Sequence, residues 1–233
     1  MLTMQRPTVE ALDDEQNNRQ RFAVGPLEPG FGHTIGNSLR RTLLSAVPGA
    51  AITQVKFDGE AALHEFATID GVIEDVTDLI LNFKDIVLMC HDDEPVAVRL
   101  DVSGPCDLTA GDVDWGVDVE CVNPDLQIAT LSKGGRLAVD ITVQRGRGYL
   151  SSENQDNSST IGVIPIDAIF SPVRRVSLEV EPTRVEQSTN FDRLILDIDT
   201  DGAISPRDAL ASAGDTLRTL VGLVADMSDE PLG

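Results

Sequence analysis

Between residues 50 and 170 the apolar residues come in short runs, and this limits the fold more than any other feature. Ile52 to Phe57, Ile86 to Cys90, Val96 to Val102, Val117 to Val122 and Leu137 to Val143 alternate apolar with polar residues or are β-branched, and Gly, Asp and Pro punctuate them. A period of two belongs to strands with one buried face. The middle of the chain is therefore expected to be mainly β. One helical interruption, over about Gly71 to Asn82, places Val72, Val76, Leu79 and Ile80 on one face.

The two ends read differently, with breaks near residues 49 and 172. The first twenty or so residues are polar and predict little regular structure. A short strand around Phe22 and Val24 leads through Pro26 and Pro29 into a glycine-rich stretch, and a helix follows to about Val47, where Pro48-Gly49 stops it. After Pro172, Val176-Leu178-Val180 and Leu194-Leu196-Ile198 predict two more strands with a polar link between them. Asp201-Gly202 makes a turn. Ser205-Pro206-Arg207-Asp208 then starts a helix, with Ser as N-cap, Pro at the first position and an acid over the positive end of the dipole. That helix is expected to reach about Met227, with Asp229 to Gly233 the beginning of a linker.

At 233 residues and 41% hydrophobic, the chain suits one large domain or two modest ones. Its 39 acidic against 18 basic residues give a net charge of -21. Such a field repels polyanions, so direct DNA binding and attachment to anionic membranes are not expected. Cys90, Cys106 and Cys121 form no C-x-x-C pair and read as reduced, buried thiols. No signal segment or membrane-length apolar run appears, which implies a cytoplasmic protein. There is no internal repeat.

In the final helix Leu210, Ala213, Leu217, Leu220, Val224 and Met227 are spaced by threes and fours, the narrow seam of helix-on-helix packing. An amphipathic helix lying on its own sheet has a similar pattern. Because Val221 widens the stripe only slightly and the helix sits at the chain end, a subunit interface is the favoured reading.

Gly30-Phe31-Gly32-His33-Thr34-Ile35-Gly36-Asn37-Ser38-Leu39-Arg40-Arg41 has the look of a phosphate cradle. Its spacing rules that out. Neither register gives G-x-x-x-x-G-K-[ST], and Ile35 occupies the third glycine position of G-x-G-x-x-G, with no βαβ unit after it. On a helical projection Ile35, Leu39, Leu43, Ala46 and Val47 share one stripe. Asn37, Arg41 and Leu44 form a second face, and an arginine beside an exposed leucine suits either an interface anchor or a solvated surface.

Extended through Thr42-Leu43-Leu44-Ser45, the stretch closely resembles the first helix of the α subunit of bacterial DNA-directed RNA polymerase. Further segments match in order: Leu63-His64-Glu65-Phe66, Glu74-Asp75-Val76, Leu81-Asn82-Phe83-Lys84, Val143-Gln144-Arg145-Gly146-Arg147-Gly148-Tyr149, Ser171-Pro172-Val173, Arg184-Val185-Glu186-Gln187 and Ile204-Ser205-Pro206. The run from Ser205 to Gly214 has an actinobacterial flavour.

The resemblance implies an α+β fold. A discontinuous dimerisation domain (1–49 plus 173–233), an antiparallel sheet with two helices, would carry an inserted, mainly β domain (50–172). It also implies a homodimer that scaffolds assembly of the β and β′ subunits for transcription, with ω and σ met only indirectly. Such a chain is part of a nucleotidyltransferase yet holds no catalytic residue, metal or cofactor. Asn37, Arg41 and Leu44 match positions that face β. Lys84, Ile166, Val173 and Arg193 fall where the family meets β′, Ile166 and Arg193 as conservative variants. The dimer interface would include Phe31, Ile35, Leu39, Leu210, Ala213, Leu217, Leu220 and Val224.

The family's linker and C-terminal DNA-binding domain have no counterpart here. Asp58-Gly59-Glu60-Ala61-Ala62-Leu63 is longer by two residues than the family's turn, and Ser151 to Thr160 resembles no fixed motif. The acidic charges are expected on faces away from β and β′. Cys90-His91-Asp92-Asp93-Glu94 reads as a hairpin turn between neighbouring strands rather than a metal site. Arg145-Gly146-Arg147-Gly148 reads as a bend at a strand end, its arginines used structurally or against a neighbouring subunit, rather than an RNA-binding segment. A freestanding hydrolase needs two acids aimed into one cleft. A lone dimeric binding module needs no polymerase partner.

Overall fold

The computed structural model describes residues 6–59, 66–155, 162–185 and 188–226. Residues 1–5, 60–65, 156–161, 186–187 and 227–233, which include part of the longer turn and half of the polar loop from Ser151 to Thr160, lie outside the described residues. The chain divides into two compact units, one from both ends (to Val47 and from Pro172) and one from Pro48–Ser171. The described residues are α and β, with mostly antiparallel sheets.

In the first unit β1 (Thr8–Ala11) and β2 (Arg19–Leu27) precede helix α1 (Phe31–Ser45), and the chain returns later with β13 (Val173–Val185), β14 (Ser188–Thr200) and helix α3 (Pro206–Asp226). The four strands form one antiparallel sheet in the order β1-β2-β14-β13. Leu194, Leu196 and Ile198 alternate on one face of β14. With Phe22, Val24 and Val176 they make a core closed by Leu43 and Val47 of α1 and its flank and by Ala209 and Ala213 of α3. Two expectations change here. The polar N-terminal residues form a strand, Thr8 opposite Gly25, whose four side chains are all exposed. Its place comes from backbone pairing, so no burial pattern announces it. The polar link after Val180 is an extension of the β13–β14 hairpin, paired out to Val185 and Ser188.

The second unit contains β3 (Pro48–Phe57), helix α2 (Val76–Lys84), β4 (Leu88–Cys90), β5 (Val96–Ser103), β6 (Cys106–Thr109), β7 (Val119–Cys121), β8 (Gln127–Leu131), β9 (Arg136–Arg147), β10 (Tyr149–Leu150), β11 (Val163–Pro165) and β12 (Ala168–Ile169). Its main sheet runs β5-β9-β3-β4-β7, with β11 also on β3; β6 pairs with β8, and β10 with β12. Val76, Leu79 and Phe83 of α2 are buried in the core of this unit. The Asp75 carboxylate accepts the Asp78 N–H at 2.8 Å, which sets the first turn of α2.

The hairpin expected around Cys90 to Glu94 is not formed. β3 and β9 lie between β4 and β5, because β5 has an eight-residue match on the long β9 while β4 spans only three residues. Residues 91–95 are thus a connection across the sheet, where Asp93 accepts from Arg145 at 3.0 Å. Among the described residues no group of three or more His, Cys, Asp or Glu is placed to hold a metal, and no helix is long and apolar enough to cross a membrane. The three cysteines are free and partly buried, and burial pushes the Cys121 thiol up.

Candidate interaction surfaces

Helix α1 lies close against the β13–β14 hairpin because its contact face is made of glycine. A Cβ on Gly32 would stand 2.7 Å from Val180 Cγ1, and one on Gly36 would stand 2.8 Å from Leu194 Cδ1. These residues are one turn apart, so they set a single line of approach. The helix enters through Gly30, which has a left-handed φ of 86° and provides no side-chain cap. Its free N–H groups are met from the neighbouring strand: Gly30 N and Gly32 N donate to Asp192 Oδ2 at 2.8 and 3.1 Å. The positive end of the helix dipole therefore holds the chain's own carboxylate where a phosphate would sit in a nucleotide cradle. No local spacing points to Asp192, which is 160 residues from Gly32.

With glycine facing the sheet, Ile35 and Leu39 are half-buried and only Leu43 and Val47 of the expected stripe are fully enclosed. Asn37, Arg41 and Leu44 are all exposed. Asn37 Nδ2 donates to His33 O at 2.9 Å, which ties that amide to its own helix. Phe31, at the start of the helix, is 51% exposed.

The seam of α3 divides in two. Ser205 caps the helix, its hydroxyl accepting from Asp208 N at 3.1 Å and donating to the Asp208 carboxylate at 2.7 Å. Ala209 and Ala213 are buried in the unit's own core and Leu210 packs against it, so this half of the expected interface is an internal contact. Small residues at 209 and 213 let α3 sit close. Leu217 is half-buried. From there the helix is uncovered: Leu220 is 55% exposed and Val224 68%, with Val221 and Leu223 similar. On a helical projection these residues span an arc of about 160°. An apolar end of that kind is the mark of an association surface.

The residues expected to face β′ do not form one class. Lys84 ends α2, its Nζ 3.6 Å from Asp167 Oδ2. The Ser152 N–H and then Lys84 hold the Asp167 carboxyl below the usual carboxylate range. Ile166 is 2% exposed and belongs to the core of the second unit; Val173 is 5% exposed and belongs to the core of the first. Neither presents its side chain to a partner, because each alternates inward along its strand or connection. Arg193 lies half-buried on β14 opposite Glu181.

The reverse face of the first unit's sheet is a polar concavity of about 820 Å³, lined by Asp13, Arg19, Arg21, Arg175, Asp197 and Asp199 among others. Three of its acids are engaged by arginines. Asp13 accepts from Arg21 at 2.8 Å, Asp197 is paired with Arg19, and Arg175 lies 3.6 Å from Asp199. The Arg21 backbone N–H and guanidinium hold Asp13 down, and the Arg19 guanidinium holds Asp197 down.

Residues 55–171 match the family model described as the RNA polymerase Rpb3/RpoA insert domain. Proteins called DNA-directed RNA polymerase subunit alpha are similar over nearly all of this sequence. That of Frankia casuarinae is 53% identical over 234 residues, covering 100% of this chain and 66% of its own length. The Corynebacterium efficiens protein is 54% identical, covering 98% and 67%; the Kineococcus radiotolerans protein is 53% identical, covering 100% and 68%. This chain spans about two thirds of the length of these relatives. Match and fold agree, and the chain belongs to the family of the α subunit of bacterial DNA-directed RNA polymerase.

Proposed function

We propose that this chain forms the homodimeric scaffold on which the β and β′ subunits of a DNA-dependent RNA polymerase assemble in the cytoplasm, nucleotidyl transfer being the work of those large subunits. The observation that carries the reading is the uncovered apolar end of α3, from Leu220 to Val224. Removing such side chains from water contributes on the order of 1 kcal/mol or more each before association entropy is charged against it. Twofold symmetry counts every contact twice. Phe31, Ile35 and Leu39 of α1 extend the same dimer face, while Asn37, Arg41 and Leu44 offer β an arginine and an aliphatic group free of the sheet. Lys84 and Arg193 take the β′ role. Ile166 and Val173 support it from within, since their side chains are enclosed.

Two variants test this allocation with co-expressed β and β′. Arg41→Ala is expected to leave the dimer intact and to weaken capture of β by roughly 2 kcal/mol, the worth of an interface arginine that acts as a hot spot. Leu217→Glu with Leu220→Glu is expected to dissociate the dimer, and with it to lose β′ assembly, because carboxylates in an apolar seam find no partners. Size-exclusion chromatography and β pull-down read both. A dimer broken by Arg41→Ala, or a full core enzyme assembled on the seam variant, sinks the reading.

A further inference from the structure

Helix α1 starts without the local devices that usually close a helix end. Gly30 offers no side-chain cap and the first turn holds no acid. N–H groups at a helix start need acceptors from outside the helix. Those of Gly30 and Gly32 find one in Asp192 Oδ2, at 2.8 and 3.1 Å, and a charged acceptor at the positive end of a helix is bound strongly. The carboxylate has no competing cation. Asp13, Asp197 and Asp199 of the same unit are paired with arginines, whereas Asp192 is in no ion pair among the described residues. The strand is also irregular at this point: Asp192 stands opposite Leu27 of β2, but Leu194 stands opposite Val24. The extra residue on β2 makes a bulge, and bulges re-aim the side chains beside them.

The far end of α1 is held by packing, with Leu43 and Val47 fully enclosed. Between the two ends, Gly32 and Gly36 set how near the helix lies but have no side chains to interlock, and Ile35 and Leu39 are only half-buried. The helix is thus a lever, pivoted near Leu43 and tethered at its start by one carboxylate. At about 1.5 Å per residue, Phe31 stands about 18 Å from Leu43 along the axis, Ile35 about 12 Å and Arg41 about 3 Å. A tilt of about 5° moves Phe31 by about 1.6 Å and Arg41 by about 0.3 Å. Close-packed contacts tolerate the second shift and not the first. We infer that Asp192 is a positioning residue for the dimer face: through the tilt of α1 it places Phe31 and Ile35 for a second copy of the chain, and it leaves the placement of Arg41 and Leu44 nearly unchanged. The inference rests on the scaffold reading above, which supplies the dimer.

The test compares the full chain with Asp192→Ala, which removes the acceptor, and Asp192→Asn, which keeps an oxygen in place. Sedimentation over a dilution series gives the dimer dissociation constant. Hydrogen exchange of the peptide over residues 28–34 reports the tether, and β pull-down at concentrations that keep the dimer whole reports the other face. Because both copies of the face shift together, Asp192→Ala is expected to raise the dimer constant at least about tenfold. Exchange over 28–34 should quicken, while β capture changes by less than about twofold. Asp192→Asn should restore most of the dimer. Val176→Ala, in the core of the same unit, controls for lost stability: it should lower the thermal midpoint and leave the dimer constant within about twofold. An unchanged dimer constant for Asp192→Ala overturns the inference, as does a loss of β capture as large as the loss of dimer, or a Val176→Ala dimer weakened to the same degree. Should Asp192→Ala fail to fold, Asp192→Ser, whose shorter arm cannot reach both N–H groups, gives the same comparison. If the unaltered chain is a monomer at micromolar concentration, the scaffold reading falls and the positioning role with it; if it dimerises and Asp192→Ala dimerises equally well, only the positioning role falls.

Discussion

Helices α1 and α3 lie on the same face of one sheet and are held there differently. α1 is fixed along its length by Gly32, Gly36 and Leu43 against the hairpin and by Asp192 at its start. α3 is fixed only over its first two turns, by Ala209 and Ala213, and then runs on as an apolar rod. The first helix encloses Leu43 against its own sheet, leaves Ile35 and Leu39 half-buried, and displays Phe31, Arg41 and Leu44 to water. The second keeps half of its apolar face unspent. Similar amphipathicity thus hides different degrees of anchoring: a helix that is anchored throughout displays side chains in a fixed geometry, and one anchored at its root leaves an apolar end free to pack elsewhere.

Ala213→Glu should break the rooted half of α3 most severely, at about 4 kcal/mol or more, since overpacking and a buried unpaired charge combine. The same charge at the uncovered half, as Leu220→Glu with Val224→Glu, should leave unfolding of the dissociated protomer within about 0.5 kcal/mol of wild type. Urea melts at high dilution read both, and equal damage from the two would erase the distinction between the halves. On the α1 side, Leu194→Ala should cost about 3 kcal/mol and Gly36→Ala about 1 to 3 kcal/mol. The pair together should cost less than the sum, because a shortened Leu194 leaves room for the new methyl group. Strict additivity in the same melts would mean that this contact does not set the approach of α1.

The smallest effects are electrostatic and have opposite signs. Burial holds Asp201 above the ordinary carboxylate range. Folding therefore favours its protonated form, and the stability it contributes is present in acid and lost as pH rises through the raised folded-state value. Asp197 is held down by Arg19, so its contribution is present at neutral pH and lost as pH falls through the lowered value. Asp197→Asn should then cost no more than about 1 kcal/mol at neutral pH, screened by water around the half-exposed Arg19, and nothing in strong acid. Asp201→Asn, which keeps an acceptor for Ala203 N at 2.9 Å, should be neutral to slightly stabilising at neutral pH. Stability curves of the two variants against pH should cross wild type from opposite sides, and parallel curves would refute the assignment.

Period-two burial made β5 and the centre of β14 legible, and a 100° step separated Arg41 and Leu44 from Leu43 before any fold was known. β1 was not legible, because all four of its side chains face water. β10 and β12 are two residues each, too short for a period. The glycines of α1 carried a negative message in their spacing; their positive role depends on Val180 and Leu194, which reach them only through the folded chain. A motif match located Ile166 and Val173 without information on exposure, and both proved to be core. Spacing by threes and fours likewise looks the same whether the facing surface is the chain's own sheet or another protomer, so the division of α3 at Leu217 had to come from packing.

The carboxylate at the start of α1 has a consequence for how the chain is made. At about 5–20 residues per second, roughly ten to thirty seconds of synthesis separate Gly32 from Asp192. During that interval β2 and α1 have left the ribosome without the hairpin that covers Leu43 and Val47, while Pro48–Ser171, contiguous in sequence, is already complete. The inserted unit is therefore the first able to fold as the chain emerges. The earlier helix waits with its apolar side in water or in the keeping of a chaperone until β14 has emerged from the tunnel to close it.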